Sequence, residues 1–188
     1  MSSRPAPWIS AEEYLQFERS SEQRHEYFAG QVFPMPGGSR KHNLIVGNLI
    51  IEIGMQLRGR PCEVYPSTMR VRIPATGLYT YPDVTVLCKT PRLEDSHNDT
   101  LLNPTLLIEV LSPSTERYDR GRKAEHYRRI DSLEEYLLVS QGELRIERYA
   151  RHSDERWLLT EASGIEASLE LRSIDCVLAL RDVYHKAL

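Results

Sequence analysis

The chain has 188 residues, of which 40% are hydrophobic and 27% charged, and its formal net charge is −3. That length suits one domain over residues 1–188, with a core able to stand without staples. The acidic balance excludes a simple DNA-coating role, which needs a basic excess, but not a basic cleft confined to one part of the surface.

In chain order, Ser10-Ala11-Glu12-Glu13 has the form of a capping box and predicts a short helix to about Arg19. His25 to Phe28 and Gln31 to Phe33 flank Ala29-Gly30, a hairpin pattern. Pro34 to Ser39 is rich in breakers. From Arg40 to Arg58, Leu44, Ile45, Leu49, Ile53 and Leu57 recur at helical spacing, and Gly59 ends the run. Strands are expected at Cys62–Tyr65, Met69–Ile73 and Asp83–Cys88, followed by a polar surface loop over Lys89–Asn103. Thr105–Leu111 reads as a central strand. Ser112-Pro113-Ser114-Thr115 stops it and supplies capping hydroxyls for a helix to about Ile130. Glu135–Ser140, Leu144–Arg151 and Arg156–Thr160 read as a strand and its meander, with a closing helix after Leu178. This order implies an α/β (mixed α+β) fold with a mixed central sheet and helices on its faces.

The stretch Leu44 to Leu57 is broken by Asn48, Glu52 and Gln56, so no membrane span is expected. Met1 to Pro5 has no apolar h-region, which points to a cytoplasmic protein. Cys62, Cys88 and Cys176, odd in number and far apart, read as reduced core residues.

Two acidic residues stand against this pattern. Asp83 precedes Val84-Thr85-Val86, and Glu109 interrupts Leu106-Leu107-Ile108 and Val110-Leu111. A buried carboxylate has to be paired or bound to a metal. If the two strands are antiparallel neighbours, their oxygens meet at one point, and Mg²⁺ or Mn²⁺ accepts such a site with one or two carboxylates. The plain alternatives are a turn role for Asp83 after Pro82 and a salt bridge from Glu109 to Arg122. Lys123 is the candidate cation. Eight residues into its helix it returns about 12 Å, level with Glu109, which lies ~7–10 Å back from its strand end. Asp119, Lys123 and Tyr127 share one helical face.

These residues resemble the PD-(D/E)XK nuclease superfamily and, more narrowly, the Uma-type endonuclease family. The resemblance is carried by Glu26-Tyr27 to Gly30, Met35 with His42, Tyr81-Pro82-Asp83-Val84, Pro104 through Thr115, Asp119-Arg120 with Lys123 and Tyr127, and Glu135-Tyr136. It covers about Tyr14 to Arg181. It implies a restriction-endonuclease-like core, a divalent-metal site and hydrolysis of DNA phosphodiesters. Asp83 and Glu109 would be ligands, with the backbone carbonyl of Val110 as a third. Glu26 would be an outer carboxylate and His42 a phosphate contact or proton carrier. Leu111 occupies the superfamily's usual lysine position, and Lys123 on the next helix would replace it. The site residues expected are thus Asp83, Glu109, Lys123, Glu26 and His42, with arginines nearby on the DNA backbone and a homodimer as the assembly. The rival readings are a non-catalytic binding or regulatory module on the same scaffold, and a metal-free hydrolase using the two carboxylates as acid and base.

Overall fold

The computed structural model describes residues 8–153 and 156–188. Helix α1 (Ala11–Ser20) opens with the expected box: Ser10 Oγ accepts from the Glu13 N–H, and Glu13 accepts from the Ser10 N–H at 2.7 Å. Strands β1 (His25–Phe28) and β2 (Gln31–Pro34) pair through Ala29 and Gly30, both at positive φ (48° and 79°), the twist that suits a two-residue hairpin. A Cβ at Gly30 would collide with the Trp8 ring, so glycine is required there for space as well as for its backbone angle. Helix α2 (Arg40–Leu57) is capped by Ser39 and buries Ile45, Leu49, Ile53 and Leu57, one stripe at four-residue spacing.

Short strands follow: β3 (Glu63–Pro66), β4 (Arg70–Ile73), β5 (Leu78–Thr80), β6 (Val84–Leu87), β7 (Thr100–Leu101) and β8 (Leu106–Val110). Then come α3 (Glu116–Tyr118), a π-helical segment over Asp119–Lys123, and α4 (Ala124–Tyr127). The chain closes with β9 (Glu135–Val139), β10 (Arg145–Ser153), β11 (Arg156–Ser163), β12 (Ser168–Leu171), β13 (Cys176–Ala179) and α5 (Leu180–Val183).

The central sheet has the order β11-β10-β9-β8-β6-β3; β8 and β9 run parallel, joined by the helical crossover, and the other pairs are antiparallel. The expected mixed sheet is therefore present. A second sheet, β2-β1-β5-β4-β7, was not anticipated as a separate layer. The segment expected to be a surface loop supplies its edge: Leu101 in β7 is fully buried and β7 pairs in parallel with β4.

Alternation along β8 sorts its side chains. Leu106, Ile108 and Val110 pack with α2 and with Val84 and Val86 of β6. Leu107 and Leu111 pack on the opposite side, with Val71, Ile73, Tyr127 and Tyr136. Glu109 has the parity of this second group and so points toward the helical crossover and the second sheet.

The cysteine expectation is corrected. Cys62 and Cys88 form a disulfide, with Cα atoms 4.1 Å apart, and only Cys176 is a free, buried thiol. The reason is register: Glu63 opposes Leu87 across β3 and β6, which places the flanking cysteines opposite one another. Among the described residues no helix is long and apolar enough to cross a membrane.

Candidate active site

The β6–β8 register pairs Val84 with Ile108, which carries Asp83 alongside Glu109 at the mouth of the sheet. Asp83 lies just before β6, where its carboxylate takes the role that a backbone partner would have played: Oδ2 accepts from the Val110 N–H at 2.8 Å. Its other oxygen is 3.0 Å from His42 Nε2. His42 is in the first turn of α2, so the Ser39 cap fixes the end of the helix that aims this ring at Asp83.

Glu109 is 4% exposed. Its Oε1 lies 2.8 Å from Lys123 Nζ and accepts from the Tyr127 hydroxyl at 2.6 Å. The same ammonium is 3.3 Å from Glu26 Oε1 and 3.7 Å from Asp119 Oδ1. Glu26, brought over from β1 in the second sheet, also accepts from the Thr80 hydroxyl. Lys123 and Asp119 bound the π-helical segment, a kind of local widening found at functional sites.

Charge is unbalanced here. Four carboxylates (Glu26, Asp83, Glu109, Asp119) surround one buried ammonium and one imidazole. Burial raises Glu109 to about 8; Lys123 lowers it, while Asp119 and Asp83 push it up. Burial also raises Asp119. For Lys123 burial acts to release the proton, yet Glu109, Glu26 and Asp119 more than reverse this and hold it well above the usual lysine range. The hydrogen bond to Asp83 raises His42 against the opposing effect of burial, and the Val110 backbone adds to the rise.

These groups line a cavity of about 340 Å³, closed on one side by Phe33 to Ser39 and on the other by Ser112 to Thr115. The five expected site residues, Asp83, Glu109, Lys123, Glu26 and His42, all face it, as does Val110. Glu109 is bound by Lys123 and Tyr127 rather than by Arg122. Among the described residues the expected arginines are not there: none lines the cavity, and Arg120 is held by Glu116 and Glu147.

Three participants, Asp119, Tyr127 and Gln141, were not among the expected site residues. Asp119 and Tyr127 were readable from their four-residue spacing to Lys123. Gln141 was not readable, because it reaches the site only through the parallel pairing of β9 with β8. Its Nε2 donates to the Leu111 carbonyl at 2.8 Å and lies 3.4 Å from His42 Nδ1, while its Oε1 accepts from Ser39 Oγ at 2.9 Å.

The donor set suits a hard divalent cation. Asp83, Glu109 and the Val110 carbonyl offer oxygen only, carboxylate oxygens keep lone pairs beyond the bonds described, and the anionic excess favours added positive charge. Among the described residues no three His, Cys, Asp or Glu side chains converge as a complete ligand cluster. Such a cation would therefore keep several waters.

Known proteins resemble the chain over nearly its whole length. Two uncharacterized proteins of Synechocystis sp. (strain ATCC 27184 / PCC 6803 / Kazusa) match it. The first, slr1290, is 41% identical over 182 residues, covering 97% of this chain and 94% of its own. The second, sll1609, is 37% identical over 162 residues, covering 86% and 92%. A crystal structure from Anabaena variabilis ATCC 29413, described as "a putative nuclease belonging to DUF820", has the same fold. Its TM-score is 0.76 over 96% of this chain and 99% of that one, at 18% identity. The family model Uma2, described as "Putative restriction endonuclease", matches residues 11–181. By that match, which spans most of its length, the chain belongs to the Uma2 family.

Proposed function

We propose that this chain is a divalent-metal-dependent endonuclease that hydrolyses DNA phosphodiester bonds. The observation that carries the reading is the convergence of Asp83, Glu109 and Lys123, from two strands and a crossover helix, on one cavity. Asp83, Glu109 and the Val110 carbonyl would hold Mg²⁺ or Mn²⁺, which when bound supplies Lewis-acid stabilisation of a phosphate oxygen and an acidified water.

The residues divide the remaining work. Lys123 keeps its proton and serves as a fixed ammonium, a donor for charge developing on phosphorus rather than a base. Tyr127 and Lys123 hold Glu109 Oε1 in place. Asp83 is oriented by the Val110 N–H, and His42 presents a cationic donor at the cavity wall when protonated.

The test is cleavage of plasmid and single-stranded DNA by purified protein with Mg²⁺ or Mn²⁺. Asp83→Asn, Glu109→Gln and Lys123→Ala should each lower the rate by about 100-fold or more, in line with the loss of a charged group from such a site. Wild-type rates in all three folded variants would overturn the proposal.

A second reading has one observation in its favour: among the described residues no arginine lines the cavity, in a chain of net charge −3. A nucleic-acid-binding or regulatory module on the same scaffold would bind Mn²⁺ without turning over any DNA substrate. Calorimetric Mn²⁺ binding with no cleavage would select this reading.

A further inference from the structure

Among the described residues, strand β11 ends the central sheet and pairs on one side only, with β10. The direction of its free groups follows from the ladder. The Gly164 N–H donates to the Leu144 carbonyl, in step with the Arg145–Ser163 register, so Ile146/Ala162, Arg148/Thr160 and Ala150/Leu158 are the hydrogen-bonded pairs. On the other side of β10, the Ser140 N–H to Arg145 carbonyl bond and the Arg151 N–H to Glu134 carbonyl bond fix the complementary set. The N–H and C=O groups of Trp157, Leu159 and Glu161 therefore point away from the sheet. Among the described residues no backbone group is bonded to them.

An eight-residue edge is a template for another strand, and native edges are usually blunted by lysine, proline or a covering segment. Here the centre is Trp157-Leu158-Leu159-Thr160, without charge or proline. Leu158 is 57% exposed and Leu159 50% exposed. As neighbours on a strand they point to opposite faces. A partner lying on one face would cover one of them, whereas a strand added at the edge flanks both.

We propose that β11 is an interface with a second copy of this chain, joined antiparallel about a twofold axis at Leu159. Symmetry and ladder parity together restrict the choice, because directly opposed residues must both direct their backbone outward or both inward. With the axis at Leu159, Leu159 opposes itself, Trp157 opposes Glu161, Leu158 opposes Thr160 and Arg156 opposes Ala162. No like charges meet among these pairs. The outward residues exchange roughly six main-chain hydrogen bonds, and Trp157 lies diagonal to Leu159 of the second copy, within reach of an aromatic side chain. The segment thus complements itself, which an isologous interface requires. A strand-sized contact belongs to the small, transient class of interfaces, so the association depends on concentration.

Sedimentation equilibrium of the full chain tests this. The wild type should dimerise in the micromolar range, and Leu159→Lys, which sets two ammonium groups face to face, should raise the dissociation constant by about tenfold or more. Because Leu159 is half exposed, the variant should keep the wild-type circular dichroism. As a register check, mild oxidation of Leu159→Cys should give a covalent dimer, and Ser163→Cys should not. A chain that stays monomeric at 100-micromolar-order concentration, a dimer indifferent to Leu159→Lys, or cross-linking equal at both cysteine positions would each overturn the proposal.

Discussion

Lys123 meets three carboxylates in a space where water contributes little screening, and Glu109 is the one it holds most closely. Desolvating two charges is costly, and their attraction offsets that only while both are present. Lys123→Met should therefore destabilise the fold by about 3 kcal/mol, since it strands Glu109 beside Asp119 and Asp83. Adding Glu109→Gln should recover more than half of this loss, because the neutral amide no longer needs a counter-charge and can still accept from Tyr127. Urea denaturation of the two single variants and the double variant measures the coupling. Additive losses would show that the pair is not energetically joined. The importance of Glu109 was legible in the sequence, since a lone acid within an apolar strand had to have a partner. Its actual partner was legible from helical length arithmetic, which distinguished Lys123 from the neighbouring Arg122 poorly, and from the family resemblance that puts a lysine on this helix.

At the scale of elements, what the sequence revealed follows from how local the determining forces are. The capped helix α1, the β1–β2 hairpin and the buried stripe of α2 depend on residues within a few positions, and all three stand where they were expected. Strands β5, β12 and β13 have three or four residues, too short for alternation to register, and β7 has two. The π-helical segment leaves no trace in composition, although it bounds the residues that matter most. The Cys62–Cys88 bridge is the clearest case of nonlocal determination: its cysteines are 26 positions apart and meet only because β3 and β6 pair. Closing a loop of that size should stabilise the fold by about 3 kcal/mol, chiefly by restricting the unfolded chain. Thiol titration in denaturant without reductant should find one reactive cysteine of the three, Cys176, and reductant should lower the melting temperature. Three reactive thiols would show that the bridge is not formed.

Across the whole molecule, α1 and the second sheet are tied by a polar clasp that no single segment announces. Arg19 on α1 reaches Asp95 and Asp99, 76 and 80 positions away, at 2.7 and 2.8 Å. Arg70 on β4 takes the other oxygen of Asp99 at 2.9 Å and also donates to the Tyr81 hydroxyl. Tyr81 in turn donates to Glu18, which receives the His25 backbone N–H. This clasp holds the layer that delivers Glu26 to the cavity. Asp99 is held well below the usual carboxylate range by its hydrogen bond to Arg19, against partial burial and with help from Arg70. Its folded pKa thus lies below the unfolded value near ~3.9. The stabilisation is complete above the unfolded value and disappears as pH falls through the folded one. Asp99→Asn should cost about 1 kcal/mol at neutral pH, a figure reduced for solvent screening because a third of the side chain is exposed. The difference should begin to shrink as pH drops below the unfolded value and go on shrinking to the acid end of the titration, so the variant's stability should change less steeply with acid than the wild type's. Urea midpoints from pH 7 down to pH 2 would reveal this convergence, and parallel curves across the range would show that Asp99 contributes through packing and not through its charge.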